Sequence, residues 1–130
     1  ELSKGAGVSL CPVTNGAFVD QDRQTNVEGI FACGNVLHVH DLVDYVSDEA
    51  EIAGKSAAKY IKNEQSAKTD IEILCDGKIR YTVPQKITST EETTVYFRVS
   101  DIFKNVKINV CADGKTIKKI NIVYLYRIIE

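Results

Sequence analysis

Residues 25–58 read TNVEGIFACGNVLHVHDLVDYVSDEAEIAGKSAA, and the order of elements in this stretch decides the fold class. Ile30-Phe31-Ala32-Cys33 is a short apolar run bounded by Gly29 and Gly34. A strand apolar on both faces belongs in the middle of a parallel sheet covered by helices. Gly34 lets the chain turn sharply beyond the strand end, where ligands bind in open α/β sheets. A polar segment follows, then a helix. Val46, Ala50, Ala53, Ala57 and Ile61 recur at helical spacing, with Ala58 and Tyr60 adjoining that face. Ser47 or Asp44 is placed to cap its start, and Asp48, Glu49 and Glu51 suit its positive end. Lys59 and Lys62 suit its C-terminal end. Gly54 costs about 1 kcal/mol relative to Ala inside a helix. A close backbone approach would account for it, as would helix–sheet packing through Gly54, Ala57 and Ala58.

Upstream, Val8-Ser9-Leu10 reads as a short strand stopped by Pro12. Thr14-Asn15-Gly16 is a turn signal and Ala17-Phe18-Val19-Asp20 a second strand, which makes a small hairpin. The polar residues 21–26 form a loop. Downstream, residues 63–70 (NEQSAKTD) lack an apolar face and read as a linker. The domain boundary is therefore placed near residue 66, giving domains 1–65 and 66–130.

After that boundary the apolar period changes from helical to alternating. Residues 71–75 and 78–83 flank Asp76-Gly77, a hairpin signal. Pro84 ends the second run. Residues 95–99 and 106–111 are further strands, and Asp113-Gly114 marks another hairpin into 116–120 and 122–126. Short strands with regular turns predict a small antiparallel sandwich. Five or six strands over ~60 residues bury a marginal core, and an uncovered edge invites pairing with another copy.

Composition excludes several classes. The 130 residues are 44% hydrophobic and 26% charged, a soluble balance. No apolar run approaches the ~20 residues of a membrane helix, and no signal peptide is visible. The chain starts at Glu1 and contains no Met, so an excised or processed piece of a longer protein is expected. Residues 1–65 carry 5 Lys/Arg against 10 Asp/Glu, and residues 66–130 carry 11 against 8. The halves thus differ in sign, which supports two pieces of different origin. Lys104, Lys107, Lys115, Lys118 and Lys119 read as solvated strand faces and edge protection, without the aromatic interleaving of a nucleic-acid surface. Cys11, Cys33, Cys75 and Cys111 form no C-x-x-C pair, so four reduced thiols in the cytoplasm are expected.

Asp20, Thr25, Gly29-Ile30-Phe31-Ala32, Gly34-Asn35-Val36 and Ala53-Gly54-Lys55-Ser56-Ala57-Ala58 together resemble the closing part of the FAD domain in the pyridine nucleotide-disulfide oxidoreductase superfamily. Leu37-His38-Val39-His40-Asp41-Leu42-Val43-Asp44 resembles a subfamily of NAD(FAD)-dependent dehydrogenases associated with bacterial glycerol metabolism. The resemblance covers residues 1–65 well and the remainder loosely. It implies an α+β chain: the C-terminal remnant of an α/β FAD-binding domain, followed by an immunoglobulin-like β-sandwich. It also implies a flavoprotein that passes a hydride from NAD(P)H to FAD and on to an unknown acceptor.

Carried onto this chain, the family places Asn35 where an acidic residue normally bonds a ribityl hydroxyl of FAD. The main chain from Gly34 through Asn35 and Val36 would approach the pyrophosphate. Tyr45, Val46 and Ser47 would present N–H groups to the pyrimidine side of the flavin. No G-x-G-x-x-G follows a strand in these residues, and that fingerprint supplies the main pyrophosphate site. The chain is therefore expected to form one wall of a flavin site and to be inactive alone. Its partners would be the missing N-terminal FAD and NAD domains, and another copy through its β edges. The alternative is a non-catalytic interaction or dimerisation module.

His38 and His40 are the weak catalytic candidates. Beside a flavin they suit general acid–base work. With Cys33 and Asp41 they offer zinc-type ligands, but no paired grouping occurs elsewhere and no metal is expected. The plainest reading is polar loop residues that position the turn.

Overall fold

The computed structural model describes residues 2–64 and 69–125. Its elements are a one-turn helix α1 (Leu2–Gly5), a long helix α2 (Val43–Ile61) and six strands. The strands are β1 (Ile71–Glu72), β2 (Ile79–Val83), β3 (Lys86–Ile87), β4 (Tyr96–Val99), β5 (Phe103–Ala112) and β6 (Lys115–Leu125). They pair antiparallel as β1–β3, β2–β4 and β5–β6. The chain is a small α+β protein.

The N-terminal hairpin forms as expected, although its pairing reduces to one antiparallel bridge, Leu10↔Ala17. Asn15 takes a positive φ of 57° in its turn. Gly16 is required there, because a Cβ would overlap the Leu37 carbonyl. Leu37 joins Val8, Ala17, Val19 and Val83 in the core, with Leu10, Val27, Ile30, Ala32 and Tyr81 packed against them. Val83 lies on β2, so this core draws on both sides of the expected linker. Residues 65–68 of that linker lie outside the described residues. Polar bonds reinforce the join: Gln85 N–H donates to the Val19 carbonyl at 3.1 Å, and Val19 N–H to Gln85 Oε1 at 2.9 Å. Gln21 Oε1 accepts from the amides of Thr88 and Ser89.

Three expectations are corrected. Residues 30–33 form no strand of a parallel sheet; Phe31 makes an isolated antiparallel bridge with Gln24. Among the described residues no segment is available to flank it in parallel. The 71–75 and 78–83 runs do not pair across Asp76-Gly77. Tyr81 packs on the core and Val83 is fully buried, and β2 aligns with β4 through Val83↔Tyr96 and Thr82↔Phe97. Burial of β2 outweighs the local turn signal, and β1 pairs with β3 instead. Finally, α2 buries Glu49, Ala53 and Ser56, while Ala50 is exposed and Ile61 is 78% exposed. The inward face is rotated from the one the apolar spacing predicts.

The Asp113-Gly114 hairpin does form. Both residues have positive φ, 48° and 72°, as a type I′ turn demands. The register sets Val106 opposite Ile122 and Ile108 opposite Ile120. These two strands are half-buried or exposed along their whole length, and all five lysines expected in solvent are exposed. Among the described residues no helix is long and apolar enough to cross a membrane.

Candidate functional site

The segment between the apolar run and α2 is held at both ends. Cys33 is extended, Gly34 turns with φ 69°, and a single 3-10 turn spans Gly34–Val36. Leu37 N–H closes that turn on the Gly34 carbonyl at 2.9 Å, and the buried Leu37 side chain anchors it. At the far end Arg98 of β4 grips both oxygens of Asp41 and donates to the Val39 carbonyl. His38 and His40 lie between these two anchors.

Glu49 completes the arrangement. It is fully buried, one turn and a half into α2. Its Oε1 accepts from Arg23 Nε at 3.0 Å. Its Oε2 accepts from Gly34 N–H at 2.7 Å and from His40 Nε2 at 2.9 Å. The carboxylate therefore ties α2 to the glycine turn and to the loop that carries Arg23. A buried ion is tolerated only when it is paired and hydrogen-bonded, and both conditions hold. This also explains the rotated helix face: a satisfied carboxylate points inward where Ala50 was expected.

Arg23 is 1% exposed and adopts φ 63°. A non-glycine residue in that region costs about 1–2 kcal/mol, which the surrounding turn must offset. Asp20 Oδ1 accepts from the amides of Asp22 and Gln24, and the Asp20 carbonyl accepts from Arg23 N–H at 2.9 Å. Arg23 Nη1 donates to the Gln21 carbonyl.

His38 is 6% exposed, and neither ring nitrogen has a hydrogen-bond partner among the described residues. Leaving a buried polar group unpaired costs about 1–3 kcal/mol. Its ring lies 4.2 Å from that of His40, 5.8 Å from Tyr81 and 5.9 Å from Tyr96, centroid to centroid. Burial, reinforced by the neighbouring His40, lowers its pKa from 6.5 to about 4. A ring that protonates only near pH 4 has no proton to give at neutral pH, so it is poorly matched to acid catalysis there. Tyr96 meets His40 edge to face at 5.1 Å. Burial, followed by the Glu49 charge, raises the Tyr96 pKa.

The ligand atoms of His38, His40 and Glu49 all lie within 4.8 Å of one another. Cys33 is half-buried and outside this cluster, and Asp41 is engaged by Arg98. Thus two of the four residues grouped by sequence proximity converge, and the third member, Glu49, was read only as a favourable charge near the helix start. A usable signal existed: Glu49, Ala53 and Ser56 lie at spacings of four and three, one stripe of a helix.

Of the residues proposed to face a cofactor, Asn35, Val36, Tyr45 and Ser47 are exposed, whereas Gly34 and Val46 are not. Gly34 is buried, and its amide is taken by Glu49. A Cβ on it would touch Val46 Cγ1 at 3.4 Å. Asn35 and Val36 are exposed. Helix α2 begins at Val43, earlier than the Tyr45–Ser47 region expected, with extended Leu42 as its N-cap and no side-chain capping bond. Tyr45 is therefore in the first turn, and its amide reaches back to the Leu42 carbonyl at 3.2 Å. Val46 is half-buried, and Ser47 Oγ donates to the Val43 carbonyl at 3.3 Å. The amides with no intrahelical acceptor are those of the opening residues, including Val43 and Asp44. In the stretch that leads into α2 and opens it, Val36, Val39, Leu42, Val43 and Tyr45 are all exposed.

The chain matches no protein-family model, no curated protein and no solved structure.

Proposed function

We propose that the chain is part of an FAD-dependent pyridine nucleotide oxidoreductase and supplies one wall of its flavin site. One observation carries the reading. The α2 N-terminus has no side-chain cap, and the apolar residues of the segment leading into it, Val36, Val39, Leu42, Val43 and Tyr45, are exposed, with Val43 at 79% exposure. Uncapped amide donors preceded by exposed apolar residues suit a flavin, whose ring is apolar over its faces and polar along one edge. A flavin held there would supply hydride transfer from NAD(P)H through its N5.

This chain's own residues would do three things. The opening amides of α2 would favour negative charge near the pyrimidine edge. The exposed Asn35 amide would accept from a ribityl hydroxyl without adding charge. The exposed apolar residues would exclude water from one face. The finer fold description belongs to the same proposal: residues 1–65 as the closing piece of the FAD domain, and residues 66–130 as an appended immunoglobulin-like domain.

The test is the reading frame ahead of Glu1 and its product. The expected result is a strand–G-x-G-x-x-G–helix unit in that frame and a purified product that releases flavin on denaturation. A frame without the glycine loop, whose product neither carries nor takes up flavin, overturns the reading. The 130-residue chain alone is expected to bind FAD weakly and to oxidise no NAD(P)H.

A second reading, a non-catalytic interaction module, is favoured by the β5–β6 hairpin. Val110, Ile120 and Tyr124 share one of its faces and remain exposed. Light scattering separates the two: self-association lost on Ile120→Lys supports the module, and a strict monomer at all concentrations counts against it.

A further inference from the structure

We propose that His38, His40 and Glu49 form a binding site for one divalent transition-metal ion of the zinc class. The site lies on the buried side of the 34–41 segment, so it is independent of the flavin reading.

The first argument is geometric. Zinc holds its nitrogen and oxygen ligands at ~2.0–2.1 Å in a tetrahedron, which spaces ligand atoms about 3.3 Å apart. His40 Nε2 and Glu49 Oε2 are 2.9 Å apart, and all three ligand atoms fall within 4.8 Å. Closing the widest separation, at most 4.8 Å, to that spacing takes a shift of at most about 1.5 Å, within the reach of small side-chain rotations. The ion would take the place of the proton that His40 Nε2 now shares with Glu49.

The second argument is that His38 otherwise lacks a role for its nitrogens. Its side chain is buried among Tyr81, Tyr96 and His40, and neither ring nitrogen meets a hydrogen-bond partner among the described residues. A polar ring is rarely buried without a hydrogen bond or a metal.

The third argument is the support around Glu49. Metal-binding carboxylates are commonly fixed by outer hydrogen bonds, and here Arg23 Nε and Gly34 N–H both orient the carboxylate. The donor set names the metal class. Two nitrogens and one oxygen suit zinc, cobalt or nickel, whereas calcium and magnesium take oxygens. Two His and one Glu also leave one tetrahedral position for water or another ligand. Arg23 already neutralises much of the Glu49 charge, so moderate rather than extreme affinity is expected.

The experiment uses the full 130-residue chain stripped with chelator, titrated with Zn²⁺ by calorimetry and with Co²⁺ by visible absorption. Wild type is expected to bind one equivalent, to show a tetrahedral Co²⁺ spectrum without a thiolate band, and to melt at higher temperature with Zn²⁺. His38→Phe removes a ligand but no hydrogen bond, so it is expected to fold at least as well without metal. It should weaken Zn²⁺ binding by at least about 100-fold, the upper range for loss of an outer partner alone. Cys33→Ala should bind like wild type. No stoichiometric binding by wild type, binding unchanged in His38→Phe, or a thiolate band lost in Cys33→Ala would each overturn the proposal.

Discussion

Replacing Glu49 with Ala tests the centre of the fold. The substitution strips Arg23, 1% exposed, of its one carboxylate partner among the described residues and leaves the Gly34 amide without its acceptor. Breaking a buried ion pair from one side costs about 3–5 kcal/mol, because the remaining charge stays buried. That is a large part of the 5–15 kcal/mol typical of a whole domain. Chelator-treated protein should therefore lose about 4 kcal/mol in urea denaturation followed by circular dichroism. Glu49→Gln keeps an acceptor for Gly34 and should lose less. The double variant Arg23→Met, Glu49→Leu removes both charges and should recover most of the loss, since apolar replacements of buried ion pairs are often neutral. A Glu49→Ala variant within about 1 kcal/mol of wild type would refute the account of the rotated helix face and of the pair that anchors it.

Acidification should destabilise the metal-free chain through His38. Its folded pKa, about 4, lies below the ordinary 6.5, so the unfolded chain binds the proton first. The contribution is full above pH 6.5 and is lost as pH falls toward 4, on the order of 3 kcal/mol. His40, Arg23 and Arg98 oppose the protonated ring and Glu49 favours it; a stability–pH slope unchanged in His38→Phe would contradict this assignment. Gly54→Ala should stabilise the chain by about 0.5–1 kcal/mol, because a Cβ there meets no atom within 4 Å. A destabilised Gly54→Ala would reveal a close approach after all. Arg98→Ala should change global stability by less than about 1 kcal/mol, since its pair with Asp41 is partly exposed. Amide exchange at residues 38–42 should accelerate in that variant, and unchanged protection would show that Arg98 does not clamp the segment.

Much of the fold was legible wherever a local rule had no competitor. The 43–61 helix is long enough for its period to dominate, and Asp113-Gly114 joins strands that bury little against anything else. The 76–77 turn carries the same two residues and still turns, with Gly77 at φ 67°, but its flanking runs do not pair, because Val83 is drawn into a core with Val19 and Leu37. The apolar spacing of α2 selected Ala50 and Ile61 for its buried face. It could not weigh a carboxylate whose partners lie 26 positions upstream and 15 positions upstream, at Arg23 and Gly34.

The glycine turn at 34 and the helix that follows it were determined by the sequence alone, which also singled out His38 and His40 as candidates. Each rests on residues adjacent in the chain, whose φ preferences, periodicity and polarity act locally. Tertiary structure alone decided what the histidines face. It buried His38 without a hydrogen-bond partner among the described residues, brought Glu49 across from α2 and closed the side with Tyr96 from β4. A hydrogen bond between distant segments leaves no trace in local composition, and the energy of a buried charge depends on every element packed around it.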